Sequence, residues 1–196
     1  MPVENHIYDR RFFRNTIKLE GDSAAYFVQA VLRYFRPLSV VDIGCGAGIY
    51  LKEFLRQGVE NIKGLDGASA AAEEFVAGAE NLEIFDLTKP YRFSRRYDLA
   101  LCLEVAEHLP EESADVLVDT VCGASDSVLF SAAVPGQGPR SIGHINEQPP
   151  EYWVEKFKER GFILDEKLTT TLREEGGAGG VVWWIVNNLL VFRKGS

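Results

Sequence analysis

"VVDIGCGAGIY", residues 40–50, is a short apolar run with one acid, broken by three glycines within five positions. The β-branched run reads as a buried strand, and the glycines turn it into a helix predicted over 48–57. Glycine turns of this kind serve where the backbone takes positive φ or passes close to a ligand. A dinucleotide loop, G-x-G-x-x-G, would need glycine at position 49, where Ile49 stands, and no Gly-Lys-Ser or Gly-Lys-Thr phosphate loop follows. What remains is D-x-G-x-G-x-G, suited to a ligand without a pyrophosphate. From the glycines alone, a plain tight strand–helix turn would look the same.

Outward from this stretch, short apolar runs alternate with amphipathic segments, the mark of βαβ units and a parallel sheet. Strands are predicted over 39–43, 62–65, 82–85, 97–103 and 127–132. Helices are predicted over 48–57, 69–77, 111–122 and 150–160, with an earlier one over 23–35, capped by Asp22 and ended by Pro37. After Gly161 come two extended runs, 162–171 and 181–192, around "GGAGG" (176–180), which reads as a flexible loop. The expected fold is α/β, a doubly wound seven-stranded sheet, mainly parallel with an antiparallel edge hairpin. Ligands of such sheets sit beyond the carboxyl ends of the strands. The expected organisation is one domain over 1–196: a helical lid segment (1–37), a cofactor-binding core (38–134) and a substrate-side loop, helix and hairpin (135–196).

The 196 residues suit one such domain. Apolar residues at 46% and charged residues at 26% are the balance of a soluble globular protein. A net charge of −8 argues against loose nucleic-acid binding, which rests on neutralising phosphates. Cys45, Cys102 and Cys122 show no metal spacing, and an odd count reads as a reduced, cytoplasmic protein. No secretory signal is visible, and "VVWWIVNNLLVF", interrupted by Asn187 and Asn188, is too short to span a bilayer.

The second predicted strand ends in "GLDG", with Asp66 eighteen positions after Gly48, near the offset at which an acid takes ribose hydroxyls. The third ends in "IFDL", placing Asp86 where an adenine amine could donate to it. Either acid alone could be a turn residue. With "VVDIGCGAG" and "YDLALCLEVAEHLP" (97–110), these segments together resemble the successive motifs of class I S-adenosylmethionine-dependent methyltransferases, over roughly residues 38–134. The following segment, 131–162, is similar to a small bacterial methyltransferase group. The resemblance implies a Rossmann-like fold and S-adenosyl-L-methionine as cofactor. It implies that Asp42 and the Gly44–Gly48 backbone hold the cofactor's amino-acid end and that Cys45 fills a variable, packed slot. Asp66 would take the ribose, Asp86 and Leu87 the adenine, and Leu103 and Glu104 would line the methyl-transfer site.

Glu104, Glu107 and His108 form E-x-x-E-H, and His144 lies in the next loop, "GHINE". His108 is the candidate general base, since an imidazole titrates near working pH, with Glu104 and His144 beside it. The same groups could bind a divalent cation, and the pattern resembles small-RNA 2′-O-methyltransferases and ubiquinone-pathway O-methyltransferases that can use a metal. It is a weak metal signal, and no metal is assigned. Tyr8, Phe12, Phe13, Trp183 and Trp184 could form an aromatic lid, although Phe12 and Phe13 read better as core; two tryptophans adjacent on a strand would face opposite sides. The expected function is methyl transfer to an O- or N-nucleophile of a small molecule, with neither nucleic acid nor membrane as partner. The alternatives are a metal-dependent RNA-end methyltransferase, for which Arg92, Arg95, Arg96 and Arg140 would supply the basic groove, and a non-catalytic cofactor-binding regulator.

Overall fold

The computed structural model describes residues 7–137 and 142–195. Ser39–Ile43 forms β1, buried at every position. The other strands are β2 (Asn61–Asp66), β3 (Leu82–Ile84), β4 (Leu99–Leu103), β5 (Ser127–Ser131), β6 (Phe162–Leu164) and β7 (Leu190–Lys194). Among the described residues they form one seven-stranded sheet in the order β3-β2-β1-β4-β5-β7-β6. The first five pair in parallel, and β7 runs antiparallel to both β5 and β6. The order reverses between β1 and β4, so the crevice for a ligand opens at their carboxyl ends.

The helices are α1 (Arg10–Tyr34), α2 (Ile49–Arg56), the single turn α3 (Ala71–Glu74), α4 (Ala114–Ala124), α5 (Pro150–Glu159), α6 (Glu166–Gly179) and α7 (Trp183–Asn188). Strand alternation divides the core between the two faces of the sheet. Val40, Leu101 and Leu129 pack with α1, α2, α6 and α7 on one face. Val41, Ile43, Ala100 and Phe130 pack with α4 and α5 on the other. Asp42, between Val41 and Ile43, therefore faces the α1–α2 side.

Several elements differ from the sequence-based expectation. The first helix begins at Arg10, capped by Asp9, whose carboxylate accepts from the Phe12 amide; Asp22 lies inside it. The apolar residues Phe13, Ile17, Ala24, Phe27 and Val31 recur at helical spacing and carry the helix through "GDS". The third helix shrinks to one turn. The largest departure lies after β6, where α6 and α7 replace extended chain. Asp165 accepts from the Leu168 amide and starts α6, and Leu168, Leu172 and Gly176 are buried four residues apart. The "GGAGG" segment is thus helical through Gly179. Across α7 and its two flanks, Val181, Ile185 and Leu189 pack inward at the same spacing, so β6 and β7 are neighbours joined by two helices rather than a loop. Trp183 and Trp184 sit on that helix: Trp183 is 53% exposed, and Trp184 packs against the core. No helix among the described residues is long and apolar enough to cross a membrane.

Candidate active site

A pocket with about 580 Å³ of empty space lies at the carboxyl ends of β1, β2 and β4. Gly44, Gly46, Asp66, Gly67, Ala68 and Leu87 form one wall, and Glu104, Val105, His108 and Leu109 another. Tyr8, Phe12 and Phe13 roof it.

The glycine loop is tied across to β2. The Gly44 and Cys45 amides donate to the Leu65 carbonyl at 2.8 and 3.0 Å. The Gly46 amide donates to one oxygen of Asp66 at 2.7 Å, and the Ala68 amide to the other at 2.8 Å. Two amides leave a carboxylate with further lone pairs, and Asp66 presents them to the pocket. Gly44 has φ +81°, and a Cβ there would lie 2.3 Å from Val105. Gly48, at φ +74°, is held in the same way under Phe75 and is not on the pocket wall. Asp42 is buried beneath the loop, its Oδ2 without a hydrogen-bond partner; burial, with the Asp66 charge adding, raises its carboxyl to about 7. Cys45 is packed against β2, and burial pushes its thiol well up. Asp86 accepts from the Thr88 hydroxyl and amide at 2.6 and 3.0 Å in a local turn, so Leu87 rather than Asp86 lines the pocket. Leu103 is buried behind the wall that Glu104 and Val105 provide.

On the opposite side the chain departs from β4 through Glu104, a non-glycine residue at φ +54°, a conformation that clusters at functional sites. Its amide donates to Ser131, and its carboxylate accepts from the Asn188 amide at 3.1 Å. The loop after β5 docks onto this turn, with the Ile145 and Asn146 amides donating to the Glu107 carbonyl. That brings His144 beside His108, ring centroids 4.8 Å apart. His144 Nδ1 lies 2.9 Å from Glu147. His108 Nδ1 lies 2.7 Å from the Tyr8 hydroxyl and 3.2 Å from the Gly143 carbonyl. With a proton on Nδ1, the ring donates to the Gly143 carbonyl and the Tyr8 oxygen, and Nε2 keeps its lone pair; with Nδ1 bare, the Tyr8 hydroxyl donates to it. Burial lowers His108 to about 4, well below the working range from which its role as base was expected; it is neutral there. Glu107 is fully buried, and neither carboxylate oxygen has a partner. Burial, then the Glu104 charge, pushes it well up. Ligand atoms of Glu107, His108 and His144 lie within 4.8 Å of one another, while Glu104 stays outside that set.

A family model described as a methyltransferase domain matches residues 18–122, more than half of the chain. The chain belongs to the methyltransferase-domain family. It is thus a member of the class I S-adenosylmethionine-dependent methyltransferases that its motifs resemble. The chain is 28% identical over 116 residues to ubiquinone biosynthesis O-methyltransferase of Neisseria meningitidis serogroup A, a match covering 54% of this chain and 48% of the relative. The chain spans about half the length of that relative. Its fold is shared with DhpI in complex with SAH (TM-score 0.61, 15% identity, 96% of each chain). It is likewise shared with magnesium protoporphyrin IX methyltransferase of Synechocystis PCC 6803 with bound SAH (TM-score 0.58, 20% identity, 78% of each chain).

Of the expected site residues, the pocket gathers Gly44, Gly46, Asp66, Leu87, Glu104 and His108, with His144 behind His108. Asp42, Cys45, Gly48, Asp86 and Leu103 stand behind the wall. Reading Phe12 and Phe13 as core alone missed their place in the roof; their position beside Tyr8 in the first turn of α1 was the available signal. Ala68, Val105 and Leu109 carry no chemistry and left none.

Proposed function

We propose that the protein transfers the methyl group of S-adenosylmethionine to an oxygen or nitrogen nucleophile of a small-molecule acceptor. The observation that carries this reading is the meeting, in one pocket at the switch point, of the glycine loop and Asp66 with Glu104 and His108. Bound there, the cofactor supplies an electrophilic sulfonium methyl. Asp66 accepts the ribose hydroxyls with the lone pairs its two amides leave, and Leu87 walls the adenine, with Asp86 beside it. Asp42 and the Gly44–Gly46 backbone hold the amino-acid end. Tyr8, Phe12 and Phe13 exclude water and leave room for a small acceptor. His108, its Nδ1 held by Gly143, takes the acceptor's proton at Nε2, and Glu104 and His144 hold the field around it. Three free cysteines, two of them buried, support a reducing, cytoplasmic setting.

Calorimetry with S-adenosylhomocysteine tests this. Wild type is expected to bind, and Asp66→Ala to lose two orders of magnitude in affinity or more, because two charge-assisted hydrogen bonds are worth roughly 1.5–3 kcal/mol each. A folded variant with unchanged affinity would remove the ribose assignment.

The partnerless, fully buried Glu107 beside His108 and His144 favours a second reading, in which the three hold a divalent cation that orients the acceptor. It gives RNA no added support. Arg95 and Arg96 pack on Tyr97 and Asp126, at the amino ends of β4 and β5 and away from the pocket, with Arg92 on the same segment; Arg140 lies outside the described residues. Titration with Mn²⁺ decides it: uptake by wild type that Glu107→Gln abolishes supports the cation, and no uptake by wild type removes it.

A further inference from the structure

The apolar run "VVWWIVNNLLVF" (181–192) holds two adjacent asparagines, and the fold treats them differently. Asn187 is exposed on α7, whereas Asn188, the last residue of that helix, is buried along with Ile185 and Leu189. A buried amide is costly unless its hydrogen bonds are made, and Asn188 makes them at the pocket wall. Its Nδ2 donates to both carboxylate oxygens of Glu104, at 3.1 and 3.3 Å, and to Gln137 Oε1 at 2.8 Å. Gln137 Oε1 also takes the Val134 amide at 3.1 Å, so every atom that Asn188 Nδ2 meets is an acceptor. The nitrogen of the Asn188 amide must therefore be the atom that faces them. Both ends of the contact are held. Arg173 Nε of α6 donates to the Leu189 carbonyl at 2.9 Å and fixes the end of α7. On the other side, the Glu104 backbone at φ +54° is pinned by its amide on the Ser131 carbonyl and hydroxyl. A glutamate with a fixed backbone still has its side-chain torsions, and a donor on both of its oxygens takes that freedom away.

We propose that Asn188 is a positioning residue of the methyl-transfer site, which sets the Glu104 carboxylate where the sulfonium methyl of S-adenosylmethionine comes to lie. This rests on the cofactor reading above and adds to it a residue from an element far outside the glycine and acid motifs. Glu104 lines the pocket beside Val105 and His108, and Asn188 stands behind it, off the pocket wall. One N–H shared between two oxygens leaves each of them lone pairs for the pocket, so the carboxylate is held without being used up. Among the described residues of that wall, Asp66 and Glu104 are the acids and no Lys or Arg stands with them. With Asp66 on the ribose, Glu104 is the anion left at the transfer point. A negative group set there in advance favours the sulfonium, and equally any cation that takes its place.

The experiment is calorimetry on the full chain with S-adenosylhomocysteine and with sinefungin. Sinefungin keeps the adenosine and the amino-acid end and carries an ammonium in place of the sulfonium methyl. Wild type is expected to bind sinefungin about tenfold more tightly, the worth of one charge-assisted contact. Asn188→Leu, close in volume and without a donor, should cut that preference about threefold or more and leave S-adenosylhomocysteine within about twofold. Glu104→Gln should abolish the preference. Adding Asn188→Leu to it should cost nothing further, since the asparagine acts through that carboxylate. Asn188→Ala carries the same expectations if leucine is not accommodated. Equal losses for the two ligands would show a disturbed fold and overturn the assignment. So would an unchanged preference in the Asn188 variants, or a further loss on adding Asn188→Leu to Glu104→Gln. Equal affinity of wild type for both ligands would take Glu104 away from the transfer point, and the assignment with it. If wild type bound neither ligand, the cofactor reading itself would fall, and this one with it.

Discussion

His108 shows how a residue's chemistry is set by what surrounds it. As a free imidazole it would titrate near working pH; burial lowers it to about 4, with Nδ1 set between the Tyr8 hydroxyl and the Gly143 carbonyl. The reading as base predicts that His108→Ala lowers turnover by roughly 10²–10⁴-fold with affinity for S-adenosylhomocysteine unchanged. The acid limb of the rate profile should lie near pH 4, not near 6.5. Stability follows the same shift. The unfolded chain binds this proton below its ordinary value of about 6.5 and the folded chain only near 4, so stability falls as pH drops through that window. Acid-unfolding curves for the variant should therefore be flatter between those limits. A variant that turned over normally at saturating acceptor would take His108 out of catalysis.

The elements repeat the lesson with backbone in place of charge. "GGAGG" has the composition of a flexible linker, yet Gly176, Gly177 and Gly179 are helical, because Val181, Ile185 and Leu172 bury against α1 and give that region a core to join. Glycine in a helix interior forfeits about 0.5–1 kcal/mol relative to alanine. A Cβ at Gly177 would meet nothing closer than Val186 at 3.8 Å, so Gly177→Ala should stabilise the protein by about that amount. Gly180 ends the helix at φ +88°, and Gly180→Ala should destabilise it by about 1 kcal/mol. Thermal melts followed by circular dichroism would check the opposite signs. Two changes of the same sign would show that this helix is not as described.

At the scale of the whole molecule, the pocket joins the first turn of α1 to the ends of β1, β2 and β4. The first turn is latched to α3 by Arg10 and Arg14 on Glu74. Such exposed pairs add little stability, so the cofactor is expected to tighten the assembly. Ligand at about a hundredfold over its dissociation constant contributes about 2.7 kcal/mol. For a chain of this size that raises the melting temperature by about 5–10 °C. S-adenosylhomocysteine should produce this shift in wild type and not in Asp66→Ala; equal shifts would place the ligand elsewhere.

Read alone, the sequence determined the parallel core, because continuous apolar runs and glycine turns are local signals. It placed β1 residue for residue and found Asp66, Glu104 and His108 within one pocket. Where local signals compete, only the tertiary structure decided. The helices α6 and α7 exist because their buried stripes find α1, and Phe13 serves both core and roof because α1 crosses the pocket mouth. Asp86 turns to Thr88, an interaction two residues away that the order of motifs does not record. His144 meets His108 because the Ile145 and Asn146 amides dock on the Glu107 carbonyl, and a long-range contact of this kind leaves no spacing in the chain.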